Sequence, residues 1–234
     1  MRRNGKPAGS LAVLFDLDGT LIDSVADLAT AVNTVLVAHG ARPLAVADVR
    51  GMGGNGVAKL VQRAFVARGR PLDAAGRTAA TDAMMAAYRD GLAARTTLMA
   101  GTPAVLGQLR AMGAALALVT NKPQEATEAI LDHFGLSQAF GAVVGSRPGL
   151  ASKPAPDMLF AALDTLGASA ETAVVVGDSA VDAEAARAAG LPCVLVRGGY
   201  ARQALETLGA DAIVDDLSGL ANAIAGLRRA AATG

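Results

Sequence analysis

Apolar residues fall into two kinds of run in this chain, and the way the two alternate predicts the fold. Short unbroken runs stand at residues 11–15, 115–119, 142–144, 174–176, 193–196 and 212–214. Runs of that length without polar alternation fit strands buried on both faces, as in a parallel sheet. Between them, apolar residues recur at helical spacing. Thr102-Pro103 opens one such helix, another runs from 123 to 134 with Gly135 as its stop, and Lys153-Pro154-Ala155-Pro156 leads into one ending near 166. A further helix runs to Gly190, and a final one covers 217–230. Strand and helix alternation of this kind predicts an α/β fold with a doubly wound parallel sheet.

The stretch from 24 to 94 carries no strand pattern. Val25, Leu28, Ala29, Val32, Val35 and Leu36 keep helical spacing, with Ser24 as N-cap, Asp27 completing a partial capping box, and Gly40 as the stop. Pro43 opens a new segment with Asp48 as a cap. A glycine-rich loop at 51–56 precedes a helix through Val57, Leu60, Val61, Ala64 and Phe65; Gly69-Arg70-Pro71 breaks it, and a long Ala- and Met-rich helix covers 74–94. An all-helical block is therefore expected to be inserted after the first strand: residues 1–22 and 97–234 form the α/β core, and 23–96 the insert.

Composition narrows the function classes. With 52% apolar and 18% charged residues among 234, the chain is globular with a sizeable core. Equal numbers of basic and acidic residues (21 each) give no bulk attraction to nucleic acid or to a membrane surface. The lone Cys193 excludes an internal disulfide and fits a reducing compartment; its neighbours Val194-Leu195-Val196 make it a core strand residue. Residues 1–9 are a short basic tail, and the apolar run behind them is too short for a signal segment or a membrane span. The expectation is a cytoplasmic monomer or homodimer.

The chemistry sits where strands end. The first apolar run stops at Asp16, Asp18 follows two positions on, and Gly19-Thr20 suits a tight turn. Extended residues two apart point the same way. Two carboxylates roughly 4 Å apart repel by about 4 kcal/mol at an effective dielectric near 20, so the pair calls for a cation or a shifted pKa. Hard oxygen ligands suit Mg²⁺, and a carboxylate can itself be a nucleophile. Other strands end at Thr120 and Asn121 and at Asp178, with Asp182 one helical turn on, and Lys153 stands in a loop. A parallel sheet brings its carboxyl ends to one edge, where ligands bind. Together these residues hold an anionic centre, a hydroxyl, an amide and a fixed cation, which is what phosphoryl transfer requires.

Those residues also form four ordered motifs: Asp16-Leu17-Asp18-Gly19-Thr20-Leu21; Leu118-Val119-Thr120-Asn121; Lys153-Pro154; and Gly177-Asp178-Ser179-Ala180-Val181-Asp182. In them the whole chain resembles the haloacid dehalogenase superfamily of phosphotransferases. The resemblance implies that Asp16 is the nucleophile that becomes phosphorylated, and that Asp18 protonates the leaving oxygen and then activates water. It implies Mg²⁺ held by Asp16, the Asp18 carbonyl and Asp178, with Asp182 behind the metal or reaching it through water. Thr120, Asn121 and Lys153 would hold the phosphate. The helical insert is similar to the family's type-1 cap, a lid hinged near 21–24 and 95–99. A dehalogenase is disfavoured, because that branch lacks the acid at Asp18.

The partner expected is a small-molecule phosphate ester. The loop at 51–56, the Thr120-Asn121-Lys122 triplet and Gly198-Gly199-Tyr200 are similar to phosphoglycolate phosphatases. Four glycines in that six-residue loop let backbone N–H groups approach an anion, and Asn55 between Gly54 and Gly56 adds side-chain donors. The expectation is 2-phosphoglycolate. The alternatives are a phosphomutase such as β-phosphoglucomutase, a pyrophosphatase, a sugar-phosphate phosphatase, or a receiver-like binding protein without catalysis. Lys122 stands beside the site either as part of it or as a solvated lysine, Lys59 one turn into the next helix reads as solvated before it reads as an added charge for the substrate, and Asp23 as a tie for the hinge. His39 and His133 lie at helix ends, where the dipole suits them.

Overall fold

The computed structural model of the chain describes residues 10–233, so the basic tail at 1–9 lies outside the described residues. In chain order the elements are β1 (Ala12–Phe15), β2 (Ile22–Asp23), α1 (Val25–Ala38), α2 (Val46–Arg50), α3 (Val57–Ala67), α4 (Ala74–Asp90), β3 (Thr97–Leu98), α5 (Thr102–Ala111) and β4 (Ala115–Pro123). Then follow α6 (Gln124–His133), β5 (Ala142–Ser146), α7 (Asp157–Leu166), β6 (Ala173–Gly177), α8 (Ala180–Ala189), β7 (Cys193–Val196), β8 (Ala212–Val214) and α9 (Leu220–Thr233).

Six strands form one parallel sheet in the order β5-β4-β1-β6-β7-β8. Neighbouring side chains on β1 go to opposite faces, and both faces are covered. Val13 and Phe15 pack with Leu109 of α5, Ile130 of α6 and Ile224 of α9 in one core cluster. Ala12 and Leu14 pack with Met158 and Leu163 of α7 and Ala186 of α8 in the other. Burial on both sides is why these strands read as continuous apolar runs. The register sets Phe15 opposite Leu118 on one side and Val176 on the other. Asp16, Val119 and Gly177 are therefore level, and the polar residues that follow them meet at one edge.

The inserted helices carry a core of their own. Val32 and Leu36 of α1, Val61 and Phe65 of α3, and Ala80 and Met84 of α4 are buried together. The chain crosses between this block and the sheet twice, and the two crossings pair as antiparallel β2 and β3, with Ile22 opposite Leu98 and Asp23 opposite Thr97. Among the described residues no helix is long and apolar enough to cross a membrane.

Several local expectations change for tertiary reasons. Asp27 is not a capping acid. It is buried and accepts from the backbone N–H groups of Arg95 and Thr96 at 2.9 Å each and from the Thr96 hydroxyl at 2.6 Å, which fastens α1 to the return crossing. Ser24 stands at the head of α1 but gives its hydroxyl to Asp18. Asp48 lies within α2, not ahead of it. α4 ends at Asp90 rather than at 94, and β4 continues to Pro123 with a register shift after Val119. A 3₁₀ turn over Leu217–Gly219 precedes α9.

Candidate active site

Asp16, Asp178 and Asp182 each bring a carboxylate oxygen to within 4.8 Å of one another at the carboxyl edge of the sheet. Lys153 reaches into this cluster. Its ammonium donates to Asp16 Oδ1 at 2.8 Å, Asp182 Oδ1 at 2.6 Å and the Val119 carbonyl at 2.8 Å, which uses all three of its hydrogens. The other Asp182 oxygen accepts from the Ser179 hydroxyl at 2.7 Å and from the Ser179 and Asp178 N–H groups at 3.2 and 3.3 Å. Both oxygens of Asp182 are thus engaged in holding Lys153 and the start of α8.

Three carboxylates share one ammonium here, and the shortfall of positive charge falls on the acids. Burial pushes Asp16 up to about 7, with Lys153 pulling against it and Asp182 adding to it. Burial, then Asp182 and Asp16, hold Asp178 well above the usual carboxylate value. Burial also works against the charge on Lys153, but Asp16 and Asp182 outweigh it and keep its pKa above the usual lysine value. The ammonium stays charged, and Asp16 and Asp178 carry the deficit. An all-oxygen, anionic donor set that lacks positive charge fits a hard divalent cation such as Mg²⁺. The backbone is shaped around it as well: a Cβ at Gly19 (φ +90°) or at Gly199 would overlap the Asp178 carboxylate.

Asp18 lies apart from that cluster. Its carboxylate accepts from Lys122 Nζ at 2.9 and 3.1 Å and from the Ser24 hydroxyl. Lys122 is buried beneath α4, with its ammonium 4.8 Å from the Tyr88 ring centroid. Burial opposes the charge on Lys122, and Asp18 and Tyr88 more than restore it. Of the two readings the sequence allows for Lys122, the structure favours a place in the site. Thr120 is buried, and its oxygen accepts from the Lys122 N–H at 3.2 Å, which leaves the hydroxyl hydrogen free to donate.

A cavity of about 50 Å³ lies between the sheet edge and the inserted helices, bordered by Asp16, Asp18, Thr120, Lys122, Tyr88 and the backbone of Gly54 and Gly56. Two expectations change at this cavity. The Asn121 amide donates to the carbonyls of Lys153 at 2.9 Å and Gly54 at 3.3 Å, so its hydrogens tie loop to cap rather than face the cavity. Asn55 does not border the cavity; its Oδ1 accepts from Arg63 at 2.6 Å and Arg202 at 3.0 Å, and among the described residues neither arginine has a carboxylate partner.

Tyr200 links the metal-side carboxylate to the hinge. Its N–H donates to Asp178 Oδ2. Its hydroxyl donates to Asp23 at 2.9 Å and accepts from the Ser24 N–H at 2.8 Å. Arg50 of α2 completes the hinge tie, 2.6 Å from Asp23 and 5.3 Å from the Tyr200 ring centroid. The glycines ahead of Tyr200 were visible in the sequence; these partners, far apart in the chain, were not. His39 bonds the Val35 carbonyl and His133 stacks edge-on against Phe134, both outside the site. Cys193 is buried in β7.

The family description of haloacid dehalogenase-like hydrolases matches residues 11–190. The phosphoglycolate phosphatase of Caulobacter vibrioides is 40% identical over 202 residues, covering 86% of this chain and 85% of the relative. That of Rhodospirillum rubrum is 40% identical over 213 residues, covering 89% and 88%. The crystal structure of a predicted phosphoglycolate phosphatase from Haemophilus somnus superposes with a TM-score of 0.84 at 28% identity, over 93% of this chain and 99% of that one. The chain belongs to the haloacid dehalogenase-like hydrolases, with their α/β fold, and is a phosphoric monoester hydrolase.

Proposed function

We propose that the chain hydrolyses 2-phosphoglycolate to glycolate and phosphate, with Mg²⁺ as cofactor and Asp16 as the carrier of the phosphoryl group. The reading rests on one observation above all: Asp16 meets a buried lysine and two further carboxylates at a sheet edge, beside Asp18, under a small cavity. Mg²⁺, held by Asp16, Asp178 and the Asp18 carbonyl, would supply charge neutralisation at the phosphoryl oxygens.

The protein groups divide the remaining work. An Asp16 oxygen attacks phosphorus and the bond to the glycolate oxygen breaks, with Asp18 giving that oxygen a proton. Water then attacks the phosphorus on Asp16, Asp18 takes its proton, and Asp16 is restored. The Thr120 hydroxyl and the charge of Lys153 steady the phosphoryl oxygens. Residues 23–96 act as a cap over a core of 1–22 and 97–234, and close the cavity against water. The phosphoglycolate phosphatases that are 40% identical to the chain support this substrate over sugar phosphates.

The test is kcat/KM for 2-phosphoglycolate against sugar phosphates, nucleotides and pyrophosphate, with Mg²⁺ and with EDTA. 2-Phosphoglycolate should lead, and EDTA should stop turnover. A rival substrate ahead by about tenfold or more, a free-energy gap of about 1.4 kcal/mol, would refute the substrate assignment.

A further inference from the structure

Among the described residues, two buried side-chain atoms capable of hydrogen bonding have no partner: the Tyr88 hydroxyl and Asn121 Oδ1. Both residues border the one cavity above Asp16 and Asp18. An unpaired buried hydroxyl is costly, and it is tolerated where a ligand completes it. Tyr88 is only 3% exposed and comes from α4 of the inserted helices, so it borders the cavity from the cap side. Lys122 lies against its ring and gives Asp18 two hydrogen bonds, with Tyr88 the neighbour of its remaining hydrogen. The phenol hydroxyl and the Lys122 ammonium therefore stand side by side on the wall of the cavity.

We propose that Tyr88 is a specificity-determining residue whose hydroxyl, together with the Lys122 ammonium, binds the carboxylate on the leaving group of the substrate. The proposal rests on the carboxylate-bearing ester of the preceding section and adds the residues that read it. A carboxylate offers two acceptor oxygens to two donors. An uncharged alkyl group of the same size leaves both donors unpaired, so the site discriminates by what is missing as well as by what is bound.

The experiment compares 2-phosphoglycolate with ethyl phosphate, which has the same carbon count and no carboxylate, in the native enzyme and in Tyr88→Phe. The native enzyme should prefer 2-phosphoglycolate. In the variant that preference should shrink by about tenfold or more, the loss expected for one hydrogen bond to a charged group. The change should lie in KM rather than kcat, and glycolate should weaken in parallel as a competitive inhibitor. Because the hydroxyl has no hydrogen-bond partner by geometry among the described residues, the variant should melt near the native temperature, which separates lost recognition from lost structure. A native preference that survives intact in Tyr88→Phe overturns the inference alone, with water as the occupant of that hydroxyl. A native enzyme with no preference between the two esters overturns the substrate reading, and this inference with it.

Discussion

Replacing Asp16 by Asn should stop turnover and, in the absence of metal, make the protein more stable. The nucleophile is lost, so kcat should fall by several orders of magnitude. Stability moves the other way because of where Asp16 sits. Its folded pKa is raised from 3.8 to about 7, chiefly by burial. Between those two values the folded chain holds a proton that the unfolded chain has released. Stability therefore falls as pH rises through that window, and the cost is complete above it. At about 1.36 kcal/mol per pH unit, the gap from 3.8 to about 7 sets an upper bound of about 4 kcal/mol at pH 8, and less than about 2 kcal/mol at pH 5.

Asparagine keeps the shape without the charge. Allowing about half of that bound for relaxation and water entry, the gain at pH 8 is about 2 kcal/mol, or about 4–8 °C in Tm for a chain of this size. The assay is thermal unfolding of both proteins at pH 8 and pH 5 in EDTA, repeated in Mg²⁺. The variant should melt higher at pH 8, the gap should shrink at pH 5, and Mg²⁺ should narrow or reverse it, because the native protein alone keeps the full ligand set. If Asp16→Asn melts at or below the native temperature at pH 8 in EDTA, the reading of the cluster as short of positive charge is wrong.

Two further outcomes follow from the same geometry. Asp178→Ala removes one of three clustered carboxylates, so half-maximal activity should need about tenfold or more Mg²⁺, read from a metal titration of initial rates; an unchanged titration removes Asp178 from the metal site. Gly107 is exposed within α5 with nothing near its missing Cβ, so Gly107→Ala should stabilise the fold by about 0.5–1 kcal/mol without altering kcat; a drop in Tm would show that α5 is strained there.

The part of the site that could be read in the sequence is the part that local pattern determines. Asp16 ends an apolar run, Asp178 ends another, and a parallel sheet admits only one arrangement of such ends, so their meeting follows from topology without any contact being known. Asn121 and Asn55 show the limit. Residue type says that an amide can donate, while the acceptors it meets, two carbonyls for the first, and the donors that reach its oxygen, two arginines for the second, come from other elements, and all but Arg63 from segments distant in the chain. Tyr88 shows it more sharply. Ala80, Met84 and Tyr88 recur every four residues along α4 and are all buried, so periodicity assigns the three to one core stripe, and the packing agrees. What sets Tyr88 apart is a hydroxyl with no hydrogen-bond partner among the described residues, beside a cavity. That is a property of everything around the residue, so it could appear only once the inserted helices were seated over the sheet. The same holds for a lid in general: its anchoring face must look like any other core, and its recognition groups differ only in what the core fails to give them.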